Sequence, residues 1–96
     1  MELHQIRYFL TVCETLNFTR AAERCNVSQP ALARAIQKLE EEVGGLLFRR
    51  EGKLTHITDL GRLLQPHLRE VLQQTEYARS TAFNFLKLRM RLLPLE

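Results

Sequence analysis

The chain has 96 residues, which allow one domain with a modest core and exclude a large enclosed pocket. Lysine and arginine exceed aspartate and glutamate by 14 to 11, and this mild excess favours a polyanionic partner without identifying it. No run approaches the roughly 20 apolar residues of a membrane span, and the first residues do not resemble a signal peptide. We therefore expect a cytoplasmic protein.

Two amphipathic segments begin the chain. Over residues 3–16 the apolar side chains recur at steps of three and four, which predicts a helix with one buried face. The stretch "NFT" interrupts this pattern. Thr19 is the expected N-cap of a second, short helix, whose alanines would let it cross a neighbour closely.

A third helix follows a tight turn. Asn26 tolerates a left-handed conformation, Ser28 can cap the helix, and Pro30 lies in its first turn, where its missing N–H costs nothing. The pair Gly44 and Gly45 predicts its end. Two helices joined by a short turn, behind a supporting helix, are typical of a helix-turn-helix.

A basic hairpin comes next. Two β-compatible runs flank Glu51 and Gly52, with glycine supplying the positive φ of the turn. Arg49, Arg50 and Lys53 cluster near its tip. The fold class is therefore mainly α: a winged helix-turn-helix over residues 1–58, made of three helices and a two-stranded hairpin wing, followed by a long linker helix.

Thr58 is the expected N-cap of that linker helix, over residues 59–86. Pro66 predicts a kink or a looser start. The apolar residues follow a four-three spacing typical of a coiled coil, and a helix this long needs a partner. The residues of this seam are Leu64, Leu68, Val71, Leu72, Thr75, Ala78, Ala82 and Phe85.

The tail, residues 87–96, begins with alternating apolar and basic residues, a rhythm typical of a strand. We interpret it as the start of a further domain or, at Leu95 and Glu96, as a cloning remnant.

The third helix presents a polar face opposite its apolar stripe. Gln29 can pair with adenine through two hydrogen bonds, and Arg34 can do the same with guanine or contact a phosphate. Pro30 and Ala33 offer small apolar surfaces to a thymine methyl group. The alternative is a solvated helix face without a partner.

Phosphate contacts are expected around that face. Gln37 and Lys38 would reach phosphates farther along the helix, and the helix starts at Thr19 and Ser28 would offer N–H groups to the DNA backbone. Arg20 lies at the first of these starts. The acidic block at residues 40–42 lies at the far end of the helix, where repulsion from phosphate is weakest.

The basic residues of the wing indicate a second contact with DNA, in the minor groove. Arg49, Arg50 and Lys53 could enter a narrow minor groove, with Arg50 favoured over Arg49. A solvated hairpin tip is the alternative.

Catalytic interpretations find no support in the sequence. The three histidines lie in different predicted elements, without a nucleophile or paired carboxylates, and no glycine-rich phosphate loop or metal-ligand spacing occurs. We expect no enzyme activity and no cofactor. Cys13 and Cys25 are interpreted as small buried apolar residues rather than as a disulfide, zinc ligands or a redox switch.

These stretches resemble a known family. The run "FTRAAERCNVSQPALARAIQKLEEEVG", with "LF.R" and "LT.IT..G" after it, is similar to the N-terminal domain of LysR-type transcriptional regulators, without gaps from residue 1 to about residue 72. The resemblance implies sequence-specific binding of double-stranded DNA on an interrupted inverted repeat. It also implies homodimers through antiparallel linker helices, tetramers when complete, and a small-molecule effector bound by a C-terminal domain.

The resemblance also assigns individual roles. Base contacts fall on Gln29, Pro30 and Arg34, and the minor-groove arginine falls on Arg50. Backbone contacts fall on Thr19, Arg20, Ser28 and Lys38. The chain departs from the family at Ala33, usually a serine, at Leu54, commonly an arginine, and at Gly45, usually a larger residue. These departures predict weaker contact with DNA and a looser turn before the wing.

A winged-helix module that binds protein is the alternative function. It predicts dimerisation through the linker helix without any preference for a DNA sequence.

Overall fold

The computed structural model describes residues 1–92, which form helices and a two-stranded sheet. In chain order these are α1 (Leu3–Thr15), α2 (Phe18–Cys25), α3 (Gln29–Val43), β1 (Phe48–Glu51), β2 (Leu54–Ile57) and α4 (Asp59–Leu92). The strands pair antiparallel, with Phe48 opposite Ile57. The predicted winged helix-turn-helix with a long linker helix is confirmed.

The core lies where α1, α2 and α3 cross. Ala21 and Ala22 of α2 are buried, and their small side chains allow close packing. Burying each large apolar side chain contributes roughly 1.5–3 kcal/mol of transfer free energy. The largest fully buried side chains are Phe9, Ile6, Leu32, Ile36, Leu39, Leu47 and Val12.

The cap of α2 differs from the prediction. The Asn17 side chain accepts a hydrogen bond from the Arg20 N–H at 2.9 Å, so Asn17 is the N-cap and the prediction of Thr19 was wrong. Phe18 is the first helical residue and is buried, which brings the start of α2 forward. The cap of α3 is as predicted, because Ser28 Oγ accepts from the Ala31 N–H at 3.2 Å.

Three predicted left-handed positions are present. Asn26 has φ 59° between α2 and α3, Gly44 has φ 86° at the end of α3, and Gly52 has φ 59° in the hairpin. The hairpin turn lies one residue later than predicted: Glu51 pairs with Leu54, so the connecting residues are 52 and 53.

The start of α4 packs against the residues that connect α3 to the wing. Thr58 Oγ1 accepts from the Gly61 N–H at 3.1 Å, which confirms the predicted cap, and donates to the Leu46 carbonyl at 2.6 Å. A Cβ at Gly61 would lie 2.6 Å from the carbonyl oxygen of Leu47, so only glycine permits this close approach. The helix then continues through Pro66.

The helix is longer than predicted. It ends at Leu92 rather than at residue 86, and the strand-like interpretation of residues 87–92 was wrong. Leucine, lysine, arginine and methionine are all good helix formers, and in this segment their helix propensity outweighs the alternating pattern of apolar and basic residues. The interpretation of residues 93–96 lies outside the described residues. At 1.5 Å per residue α4 is about 50 Å long, and the molecule measures 66 Å along its longest axis.

The seam of α4 is divided between two environments. Leu68 is buried in the core of its own protomer, with Leu64 and Leu72 half-buried against that core, because α4 packs on α1. The expectation that Leu68 contacts a partner was therefore wrong. Thr75 is half-buried, and the remaining seam residues are exposed: Val71, Ala78, Ala82 and Phe85.

The two cysteines have different surroundings. Cys13 is buried, and burial raises the pKa of its thiol from 9.0 to about 11. Cys25 is half-buried, and its Sγ donates to Thr11 Oγ1 at 3.5 Å. Of the helices within residues 1–92, none combines the length and the apolar character that crossing a membrane requires.

Candidate nucleic-acid interface

Helix α3 has one buried and one open face. Leu32, Ile36 and Leu39 are buried, which directs the polar side chains of the same turns outward. Pro30, Arg34, Gln37 and Lys38 are exposed, while Gln29 and Ala33 are half-buried at the edges of this face. The polar face predicted from the sequence is thus open to solvent along three turns.

The starts of α2 and α3 are in contact. The Thr19 hydroxyl donates to Gln29 Oε1 at 3.3 Å, which joins the first turns of the two helices. Arg20 is exposed beside Thr19. Ser28 is also exposed, although its Oγ already accepts the capping bond.

The wing separates its two arginines. Arg49 Nε lies 3.2 Å from a carboxylate oxygen of Glu51. Arg50 lies on the same side of β1 as buried Phe48, since side chains alternate along a strand. Its guanidinium carbon lies 4.4 Å from the centroid of the Phe18 ring.

Two concave surfaces adjoin Arg50. A polar notch of about 350 Å³ lies between the start of α2 and the wing and includes Asn17, Thr19 and Lys53. A groove of about 520 Å³ lies between α3 and the wing and includes Ala33 and Gln37. Arg50 borders both, so the wing and the helix-turn-helix form one continuous surface.

The positive charges on this surface are mostly uncompensated. Across residues 1–92 the ion pairs join Arg24 to Glu14, Arg49 to Glu51 and the Met1 amino group to Glu42. They involve none of the other basic side chains singled out from the sequence, which are Arg20, Arg34, Lys38, Arg50 and Lys53. An anion would therefore meet these five cations without first displacing a carboxylate.

The acidic block has structural roles of its own. A carboxylate oxygen of Glu40 accepts from the N–H groups of Leu47 at 2.7 Å and Phe48 at 3.4 Å. Glu42 holds the N-terminal amine at 2.9 Å, and this contact raises the pKa of that amine above 8.0. Glu40 thus ties the end of α3 to the first strand of the wing.

Phe18 and Glu40 make contacts that the sequence pattern did not predict. The only signal for Phe18 in the sequence is an aromatic residue directly after Asn17, the residue that caps α2 in the structure. Glu40 was interpreted only as part of an acidic block. The Phe18 contact does not follow from local spacing, because Phe18 and Arg50 lie far apart along the chain. The Glu40 contact depends on how the chain turns between α3 and β1.

The departures from the family pattern lie in three places. Leu54 is exposed at the wing tip, and Ala33 borders the groove beside Gln37. A Cβ at Gly45 would lie 2.8 Å from Leu60 Cδ2, so Leu60 occupies the space of a larger residue there. Within the described residues no group of three or more histidine, cysteine, aspartate or glutamate side chains could hold a metal ion.

These elements define a winged helix-turn-helix protein with an exposed polar helix and a basic wing. The family described as "Bacterial regulatory helix-turn-helix protein, lysR family" matches residues 3–62, which is more than half of the chain. The chain therefore belongs to the LysR family.

Individual relatives agree with this assignment. The HTH-type transcriptional regulator IlvR of Caulobacter vibrioides is 43% identical over 82 residues, which are 85% of this chain and 28% of that protein. This chain thus spans little more than a quarter of that relative.

Solved structures share the fold. The CbnR DNA-binding domain, crystallised with DNA, has a TM-score of 0.84 at 30% identity over 90% of this chain and 99% of that one. Vibrio fischeri DarR in complex with DNA has a TM-score of 0.86 at 34% identity over 92% of this chain and 30% of that one.

Proposed function

We propose that the chain is the sequence-specific DNA-binding domain of a LysR-type transcriptional regulator and has no enzyme activity. The observation that carries the proposal is the continuous surface of α3, the start of α2 and the wing, with its uncompensated cations. Two solved structures with the same fold, those of CbnR and DarR, are complexes with DNA. A helix face that contacts only solvent does not require polar and basic side chains to cluster around it.

Helix α3 would lie in the major groove, with Gln29, Pro30, Ala33 and Arg34 against base edges. Thr19 already accompanies Gln29, and it would contact the DNA backbone together with Arg20, Ser28, Gln37 and Lys38. Phosphate neutralisation would supply much of the affinity, so binding should weaken as salt increases.

The wing would contact the adjacent minor groove through Arg49, Arg50 and Lys53. Arg49 would first have to leave Glu51, whereas Arg50 needs no such exchange. A narrow A·T-rich minor groove attracts an arginine most strongly.

A second copy would pair through the exposed part of the α4 seam, which is Val71, Ala78, Ala82 and Phe85. Two copies related by a two-fold axis would meet two half-sites of an interrupted inverted repeat. The full-length protein would add an effector-binding domain and form tetramers, as the family resemblance implies.

Selection from a random duplex library at physiological salt tests this function. The proposal predicts enrichment of an interrupted inverted repeat, because two α3 helices contact symmetric half-sites. Enrichment of a single half-site would support the base contacts and contradict binding as a dimer. A folded chain that enriches no sequence would instead support the module that binds protein.

A further inference from the structure

Phe18 and Arg50 form a contact that the family assignment does not explain. Phe18 is the first residue of α2, and the residue is only 7% exposed. The ring packs edge-on against Phe48, with centroids 5.8 Å apart and an interplanar angle of 81°. The Arg50 guanidinium carbon lies 4.4 Å from the Phe18 centroid. A buried aromatic pair thus supports an exposed cation.

This geometry restricts the arginine without neutralising it. A cation within about 6 Å of a ring centroid is attracted to the negative face of the ring. A carboxylate partner would also hold the side chain, but it would cancel the charge that a polyanion requires, as Glu51 does for Arg49. An aromatic ring leaves the guanidinium N–H donors free.

We propose that Phe18 is a positioning residue that holds Arg50 ready for insertion into the minor groove, so that discrimination between A·T and G·C pairs beneath the wing depends on Phe18. The inference rests on the proposed DNA-binding function. Ordering a long side chain before binding lowers the entropy that the complex must lose. The 2-amino group of guanine would obstruct the inserted arginine, because it projects into the minor groove.

The contact is first tested without DNA. Ring currents of Phe18 should shift the Arg50 side-chain protons upfield in the NMR spectrum of the 96-residue chain. Phe18→Leu should abolish this shift, whereas Phe18→Tyr should keep it. An unshifted Arg50 in the unsubstituted chain would overturn the inference whatever the protein binds.

The consequence is then tested on a duplex taken from the library selection. Its wing-facing A·T pairs are replaced by G·C or by inosine·cytosine, which lacks the 2-amino group. The unsubstituted chain should bind the inosine duplex at least about threefold more tightly than the G·C duplex, and Phe18→Leu should reduce that ratio to near one. Such a factor corresponds to a typical exposed cation–π contact.

Two further variants distinguish the effect of Phe18 on Arg50 from a general loss of folding or of positive charge. Pentafluorophenylalanine at position 18 keeps an aromatic ring and reverses its quadrupole, so it should lose the discrimination even if Phe18→Leu does not fold. Lys38→Ala removes a charge on α3 that is proposed to contact a phosphate and lies outside the notch beside the ring, so it should weaken binding to all three duplexes by one common factor.

The outcomes distinguish the two levels of the proposal. If the unsubstituted chain selects no DNA sequence, the proposed function and this inference both fail. If it selects a sequence but the fluorinated ring leaves the ratio unchanged, only the inference about Phe18 is overturned.

Discussion

Arg34 and Lys38 lie one turn apart on the same exposed face of α3, and neither forms an ion pair within residues 1–92. They carry the same charge, but the proposal gives them different roles. Arg34 lies nearer the start of the helix, which contacts base edges in helix-turn-helix proteins, while Lys38 lies farther along.

Arg34→Ala should therefore weaken binding to the selected duplex by about 1–3 kcal/mol and change binding to a scrambled duplex much less. Lys38→Ala should weaken both about equally and reduce the salt dependence by roughly one phosphate contact. Fluorescence anisotropy at several salt concentrations measures both effects.

Arg24→Ala is the matched control, because Arg24 is paired with Glu14 at 2.7 Å and is not among the side chains assigned to DNA contact. An unchanged ratio of specific to non-specific affinity in Arg34→Ala would show that Arg34 contacts no base.

Cys13 and Cys25 should differ in reactivity. Burial raises the Cys13 pKa to about 11, so at pH 8 its thiol is both protonated and covered. A thiol reagent should modify one cysteine per native chain and two in urea. In Cys25→Ser no rapidly reacting thiol should remain; rapid modification of that variant would contradict the burial of Cys13.

The same pKa links stability to pH. The folded state favours the neutral Cys13 thiol, so its titration contributes to the free energy of unfolding. That contribution is complete below the ordinary pKa of 9.0 and is lost as pH rises towards about 11. The free energy of unfolding should fall more steeply over that interval in the unsubstituted chain than in Cys13→Ala. Equal slopes would mean that Cys13 titrates normally in the folded state.

At the scale of elements, the position of the wing depends on the end of α3. The Glu40 carboxylate accepts two backbone hydrogen bonds from Leu47 and Phe48, just where β1 begins. Hydrogen bonds to a charged group contribute more than neutral ones, and removing the acceptor leaves buried N–H groups without a partner.

Glu40→Ala should lower the free energy of unfolding by about 1–3 kcal/mol and speed hydrogen exchange at the Leu47 amide. Glu40→Gln should retain part of the effect, because its amide oxygen still accepts. Urea denaturation and NMR hydrogen exchange measure both quantities.

Glu41→Ala is the neighbouring control, since Glu41 is exposed and makes no ion pair in the described part of the chain. Equal destabilisation by Glu40→Ala and Glu41→Ala would show that the contact with β1 contributes nothing.

The elements themselves were predictable where local chemistry decides them. Ser28, Gly44 and Thr58 fix their helix ends through their own caps, and the structure has all three. Where two capping residues compete, as Asn17 and Thr19 do, the burial of Phe18 decides, and a tertiary contact of that kind is not visible in local spacing.

The same limit applied to the candidate site. The polar residues of α3 were recognisable from helical periodicity. The contact Phe18–Arg50 depends instead on how distant segments pack, and the contact Glu40–Leu47 depends on how the chain turns after α3. The four-three spacing of α4 likewise could not show that Leu68 belongs to the core of its own protomer.

At the scale of the whole molecule, α4 extends well beyond the core and leaves apolar side chains exposed. Phe85, Leu88 and Leu92 are each more than half exposed and lie on one face of the helix, and an exposed apolar face of this kind is typical of an interaction site. Ala82 lies two heptads beyond Leu68, on the same side of the helix as the seam, and is exposed.

Ala82→Glu should weaken dimerisation at least about tenfold, because it places an unpaired charge in an apolar interface. Sedimentation velocity over a concentration series measures the dimer. Ser80→Glu, in the same turn but off the seam, should leave dimerisation unchanged. Equal behaviour of the two variants would place the dimer interface elsewhere.

Two α3 helices held by paired α4 helices should bind two half-sites together. The direct measurement is a titration of the 96-residue chain against three duplexes: the selected repeat, the repeat with one half-site scrambled, and the repeat with both scrambled. We predict the tightest binding to the intact repeat, an intermediate affinity with one half-site and the weakest with none. Equal affinity for all three duplexes would show that the chain binds DNA only through charge and would contradict sequence-specific recognition.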